Sequence, residues 1–123
     1  MLKVLIVDDY STMRRIVRNL LNQIGVTDPD EADTGQSALE KLRSSRFDVV
    51  IADWTMQPMS GLDLLKAIRA DHRLKDTRFI MVTADHKAEN IIAAKEAGVN
   101  NYIVKPFDAS TLKKRLEAVV GMF

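Results

Sequence analysis

The chain shows two kinds of apolar patterning in alternation. Short apolar runs occur at Lys3–Val7, Phe47–Ala52, Phe79–Val82 and Tyr102–Val104. They are rich in Val and Ile and do not alternate with polar residues, the pattern of strands buried on both faces of a parallel sheet. A weaker, acidic run near Asp30–Thr34 follows Pro29 and fits only an edge strand. Between the runs, apolar residues recur at three- and four-residue spacing. Met13, Ile16, Val17, Leu20, Leu21 and Ile24 trace one helix, which Gly25 ends. Ala38, Leu39 and Leu42 mark a second. Ser60-Gly61-Leu62-Asp63 reads as a capping box opening a third, carried by Leu62, Leu65 and Ile68. Ile91, Ile92 and Ala94 define a fourth, closed by Gly98. Leu112, Leu116, Val119 and Val120 define a fifth, with Asp108 or Ser110 as its N-cap.

The order is strand then helix, five times. Right-handed crossovers turn that order into a doubly wound α/β domain, a (βα)5 parallel sheet with helices on both faces. Other doubly wound domains share this element order, so the chemistry has to choose among them.

Composition narrows the choice. A chain of 123 residues with 46% apolar content suits one compact domain with a real core, and no linker or repeat divides it. A single domain spanning 1–123 is expected. The net charge of +1 argues against a general nucleic-acid binder. With no cysteine there is neither a disulfide framework nor a thiolate metal site. The apolar start, Met1 to Val7, turns acidic at Asp8 and is too short for a signal peptide or a membrane span. A cytoplasmic protein without a membrane partner is the expectation.

Four of the apolar runs end in reactive residues: Val7 precedes Asp8 and Asp9, Ala52 precedes Asp53, Val82 precedes Thr83 and Val104 precedes Lys105. In a parallel sheet all these ends lie on one edge, where ligands of open α/β sheets bind. Taken singly, each residue has an ordinary explanation: an Asp after a strand caps a helix, a Thr satisfies a turn, a Lys is solvated. Jointly they mean more. Three carboxylates at one edge repel unless a cation sits among them. Oxygen donors without His or Cys favour Mg²⁺ or Ca²⁺ over zinc. Lys105 and Thr83 add a positive charge and a hydroxyl suited to phosphoryl oxygens. These parts make a carboxylate–Mg²⁺–phosphoryl site with Asp53 as nucleophile.

The chain resembles the receiver domains of two-component response regulators, and within them the single-domain chemotaxis type. The resemblance covers nearly the whole chain. It is carried by Val7-Asp8-Asp9-Tyr10-Ser11-Thr12-Met13-Arg14-Arg15, Ala52-Asp53-Trp54-Thr55-Met56, Met81-Val82-Thr83-Ala84, Glu89-Asn90-Ile91-Ile92-Ala93-Ala94 and Tyr102-Ile103-Val104-Lys105-Pro106-Phe107. It implies strand order 2-1-3-4-5, phosphorylation of Asp53, and Mg²⁺ held by Asp8, Asp9, Asp53 and the backbone carbonyl of Thr55. It also implies that Lys105 contacts the phosphoryl group, that Thr83 moves towards it, and that Tyr102 is an aromatic switch. The Lys105–Pro106 bond should be cis. The donor would be a sensor histidine kinase. Ile91, Tyr102 and Arg115 would meet a flagellar motor switch protein on the face of helix 4, strand 5 and helix 5. Such a chain is a monomeric phospho-accepting switch without an output domain, not an enzyme, although it assists its own phosphorylation and autodephosphorylation.

Several positions depart from the family. The proline that usually stands four residues after the acceptor Asp is displaced to Pro58, behind Gln57, so a differently shaped loop is expected. Thr55 replaces a frequent Asn, and Asp85 a frequent Glu, which puts an auxiliary phosphatase in question. Arg115 stands where the family has Lys. The Lys113-Lys114-Arg115 run is otherwise an ordinary solvated helix face, and Ile91 an ordinary core residue. The six Met read as core or gap fillers. Trp54, next to the acceptor, is a natural fluorescence reporter. His72 and His86 lack ligand spacing. A haloacid-dehalogenase-type phosphohydrolase would need a second acid where Tyr10 stands. A flavodoxin-like FMN binder would not place Asp8-Asp9 against a phosphate. The remaining competitor is a receiver serving as a phosphate sink or a non-motor partner.

Overall fold

The computed structural model describes residues 2–84 and 87–123; Met1, Asp85 and His86 lie outside the described residues. Ten elements alternate: β1 (Val4–Val7), α1 (Ser11–Gln23), β2 (Asp30–Ala32), α2 (Gly35–Ser44), β3 (Val49–Asp53), α3 (Gly61–Ala70), β4 (Arg78–Thr83), α4 (Ala88–Glu96), β5 (Asn101–Val104) and α5 (Ala109–Val120). The strands form one parallel sheet in the order β2-β1-β3-β4-β5, as expected. The acidic run is indeed an edge strand, though it stops at Ala32.

The pleat sorts the apolar runs into two cores. Successive side chains of a strand point to opposite faces. Leu5, Val7, Val50, Ala52, Phe79 and Met81 therefore pack with Ala38, Leu39 and Leu42 of α2 and Leu64, Leu65 and Ile68 of α3. Val4, Ile6, Val49, Ile51, Ile80, Val82 and Ile103 pack on the other face with Val17 and Leu21 of α1 and Leu112 and Leu116 of α5. Parallel register keeps like with like across the sheet: Val4 pairs with Val49, Leu5 with Val50, and Val50 with Phe79.

Helix starts follow local chemistry. Ser60 Oγ accepts from Asp63 N at 3.1 Å, which makes the expected capping box. Asp108, not Ser110, caps α5 by accepting from Thr111 N at 2.8 Å. Thr34 and Ser37 form a second capping box at α2. Gly98 closes α4 with φ +91°. Two helical stripes are narrower than their spacing suggests. In α1, Ile16 is 45% exposed, and in α4, Ile92 is 54% exposed, with Ala94 the buried residue of that helix. In α3, Leu64 is fully buried, whereas Leu62 packs only partly against the core. Both the Gln57–Pro58 and Lys105–Pro106 bonds are cis, the latter as expected.

Arg69 ties the α3–β4 and α4–β5 connections together. Its guanidinium donates to the carbonyls of Gly98, Lys75 and Thr77 and to Asn100 Oδ1, at 2.6–3.1 Å. Asn100 Oδ1 also accepts from Phe79 N at 2.7 Å, near the start of β4. A fixed planar fork can meet that set of acceptors; an ammonium cannot. Arg69→Lys should therefore destabilise the domain by about 2 kcal/mol. Urea unfolding measures this, and an unchanged midpoint would contradict the role given to the fork.

Candidate functional site

The sheet ends in a polar rim. The carboxyl side chains of Asp8 and Asp53 and the Thr83 hydroxyl belong to the buried polar residues there, 4%, 8% and 8% exposed. Backbone bonds carry the sheet's order into the loops: Asp8 N donates to Ala32 O, Trp54 N to Val82 O and Lys105 N to Thr83 O, at 2.8–3.1 Å. Asp53 is itself the last residue of β3, opposite Val82. Neither Asp8 nor Asp9 caps α1. The N-cap is Tyr10, which has no side-chain cap bond. Asp8 Oδ1 instead accepts from Tyr10 N at 3.0 Å, closing the turn locally.

One cleft of about 310 Å³ gathers Asp8, Asp9, Tyr10, Met13, Asp53, Thr55 and Lys105. Lys105 Nζ lies 3.2 Å from Asp53 Oδ2. Asp9 Oδ2 accepts from Gln57 N at 3.4 Å, so the displaced-proline loop reaches back to the acidic pair. Thr83, also at the rim, and Tyr102 are not among that cleft's lining residues. They line a second, narrow apolar cavity with Trp54, Met81, Asn90, Ile91 and Ala94. The pleat explains the division. Asp53 and Lys105 share the strand parity of Ile51 and Ile103, on the α1/α5 face, whereas Thr83 and Tyr102 share that of Met81.

Ile91 is half-buried on that second cavity, and Tyr102 is partly buried against the core. The Arg115 guanidinium lies 5.7 Å from the Tyr102 ring centroid and donates to Asn101 Oδ1 at 3.3 Å. Met56 and Met81 are buried, as expected of core Met, but Met122 is 91% exposed. Asp85 and His86 lie outside the described residues. A larger cleft of about 370 Å³ opens among Arg43, Arg46 and Arg73, away from these residues. Arg43 in the last turn of α2 meets Asp71 at 3.3 Å. Cations at helix C-termini oppose the helix dipole, and that accounts for its placement.

Gly61 is a site residue that the sequence pattern did not single out beyond its place in the capping box. A Cβ there would collide with the Asp53 carbonyl oxygen and come within 2.8 Å of Met81 Sδ. Gly61 N also donates to Trp54 O at 2.8 Å. The start of α3 is thus seated directly on the main chain of Asp53, a closeness that only the fold reveals.

Asp8 carries the electrostatic cost of the cleft. Burial pushes its carboxyl from 3.8 up to about 6, with Asp53 and Asp9 adding to the rise and the Tyr10 N–H and Lys105 opposing it. Among the described residues, no three His, Cys, Asp or Glu side chains form a ready-made cation cage. The donors facing the cleft are nevertheless oxygens, and a positive ion beside Asp8 would relieve its desolvated charge. That set fits Mg²⁺, which takes one or two carboxylates and completes its shell with other oxygens. Without a cation, Asp8 costs stability above about pH 6, and the cost fades as pH falls towards 3.8. Asp8→Asn should therefore stabilise the metal-free domain at pH 7.5, by on the order of 2–3 kcal/mol, with the gain vanishing near pH 4. Calorimetric unfolding in chelator checks this; an equal gain at both pH values would rule out a charge penalty.

The comparisons with known proteins agree with this geometry. Among the described residues, no helix is long and apolar enough to cross a membrane. The response regulator receiver domain model matches residues 4–117. The chemotaxis protein CheY of Pseudomonas aeruginosa is 53% identical over 118 residues, 96% of this chain and 95% of that protein. CheY-3 of Vibrio cholerae is 55% identical over 118 residues, 96% of this chain and 91% of that protein. The structure of V. cholerae chemotaxis protein CheY4 superposes with a TM-score of 0.89 at 37% identity, covering 97% of this chain and 98% of that one. A receiver protein from Pseudomonas putida gives a TM-score of 0.85 at 32% identity, covering 94% and 95% of the two chains. The chain belongs to the response regulator receiver family and is a receiver domain of the chemotaxis CheY type.

Proposed function

We propose that Asp53 accepts a phosphoryl group from a phosphohistidine on a sensor histidine kinase, and that this alters the α4–β5–α5 face for a flagellar motor switch protein. The observation that carries the reading is the Asp53–Lys105 contact, 3.2 Å, inside a cleft flanked by Asp8 and Asp9. The N–P bond of the donor breaks as an Asp53 carboxylate oxygen forms the new O–P bond. Lys105 sits where it neutralises charge on the acceptor side as the phosphoryl group arrives. Asp8, Asp9, Asp53 and the Thr55 backbone carbonyl would hold Mg²⁺, which when bound supplies charge stabilisation to the phosphoryl oxygens. The new group adds about −1.5 to −2 charges and three acceptor oxygens at the rim.

The readout runs through the other side of the sheet. Thr83 ends β4 beside the rim and also lines the narrow cavity with Tyr102 and Ile91. That cavity has about 10 Å³ of free space, far too little for a phenol ring. Tyr102 can therefore turn inward only when Thr83 moves towards the phosphoryl group or Ile91 gives way. This is a population shift between two packings, biased by a local charge. Arg115, beside the Tyr102 ring, places a cation on the surface that changes.

Two outcomes are expected. Beryllofluoride with Mg²⁺ should load the wild type, followed by Trp54 fluorescence, and Asp53→Asn should abolish loading. Full loading in Asp53→Asn would refute the acceptor assignment. Tyr102→Ala should load normally yet bind a flagellar switch peptide at least fivefold more weakly than loaded wild type, as titration of the labelled peptide would show. Absence of peptide binding by the loaded wild type would favour a phosphate-sink role instead.

A further inference from the structure

The turn that carries Asp8 and Asp9 is built without the usual helix cap. Tyr10 makes no side-chain cap bond and α1 has no acid in its first turn. The turn is instead gripped from outside. Arg14 Nη1 donates to the Asp8 carbonyl at 2.7 Å, while its Nε donates to Glu31 Oε1 at 2.9 Å. The second oxygen of Glu31 accepts from Arg18 Nε at 2.7 Å, and Arg18 Nη2 donates to Pro29 O at 2.8 Å. The two arginines stand four residues apart on one helix face, so both reach the same acid on the edge strand. Partial burial works against the ionisation of Glu31, but the Arg18 and Arg14 hydrogen bonds outweigh it and hold the carboxyl below its usual range.

We propose that Arg14, braced by Glu31 and Arg18, is a positioning residue for the acidic pair: it fixes the Asp8–Asp9 main chain so that both carboxylates meet Mg²⁺. This rests on the Mg²⁺ reading of the cleft given above. The Asp8 main chain is held on its N–H by Ala32 O at 3.1 Å and on its carbonyl by Arg14. The direction in which Asp9 leaves is set by these two bonds. Arg14 does not itself line the cleft; its guanidinium reaches it only through the Asp8 main chain. Its own charge, if it acted directly, would repel a cation. Positioning and direct electrostatics thus predict opposite signs for its removal, and a lysine keeps the charge but lacks the fork that serves Glu31 and Asp8 together.

The test measures Mg²⁺ dissociation constants by titration calorimetry, with thermal unfolding in chelator as the check on folding. Arg14→Gln and Arg14→Lys should each weaken Mg²⁺ binding by about tenfold while remaining folded, the scale of lost support behind a metal ligand. Unchanged or tighter binding in Arg14→Gln, or wild-type affinity in Arg14→Lys, would overturn the proposal. Where the Arg14 variants fail to fold, Arg18→Lys takes their place, with about a threefold loss expected and an unchanged constant counting against it. A wild type that binds no Mg²⁺ would instead overturn the reading of the cleft itself.

Discussion

A sheet covered by helices on both faces leaves charge very few places to sit. In this domain the strand interiors are filled by Val, Ile, Leu, Phe and Met on either side. An unpaired charge among them would cost several kcal/mol. The acids and the lysine are therefore pushed to the ends of the strands, where the backbone still has sheet order but water reaches the side chains. That gives the rim both rigidity and polarity. Asp53 closes β3 in register with Val82, and Lys105 follows β5, so their contact inherits the precision of the β-ladders.

The same pleat that builds two cores divides the rim's labour. Asp53, the acidic pair and Lys105 fall on the α1/α5 side, while Thr83 and Tyr102 fall on the side of Trp54 and Ile91. Neighbouring strand ends, one residue apart in parity, thus address different faces. The two sides are joined at the strand ends, where Trp54 N donates to Val82 O and Lys105 N to Thr83 O. Gly61, seated on the Asp53 carbonyl, ties α3 into the same junction.

The fold was legible in the sequence because its signals are strong and local: apolar runs, helical spacing, Ser60 and Asp108 at helix starts. The convergence of Asp8, Asp53 and Lys105 was legible for the same reason, since strand ends of a parallel sheet share an edge. Three things were not. That Thr83 lines the second cavity depends on pleat parity, and strand boundaries read from sequence shift by one or two residues. The bond from Tyr10 N to Asp8 Oδ1, which leaves α1 without a side-chain cap, is announced by no sequence motif. Stripe width misled for Ile16 and Ile92, because helical spacing reports which residues lie together and not how far the neighbouring surface extends.

The short edge strand has a further consequence. β2 spans three residues, and two of them, Asp30 and Glu31, are acids engaged by Lys41 and by the α1 arginines. An open strand border is normally a template on which another polypeptide can crystallise into extended sheet. Here the template is brief and guarded by ionised groups already tethered to the helices beside it. The side chains that brace the acidic turn therefore also discourage stray strands from adding on, so one cluster serves both the chemistry of the rim and the colloidal good behaviour of the molecule.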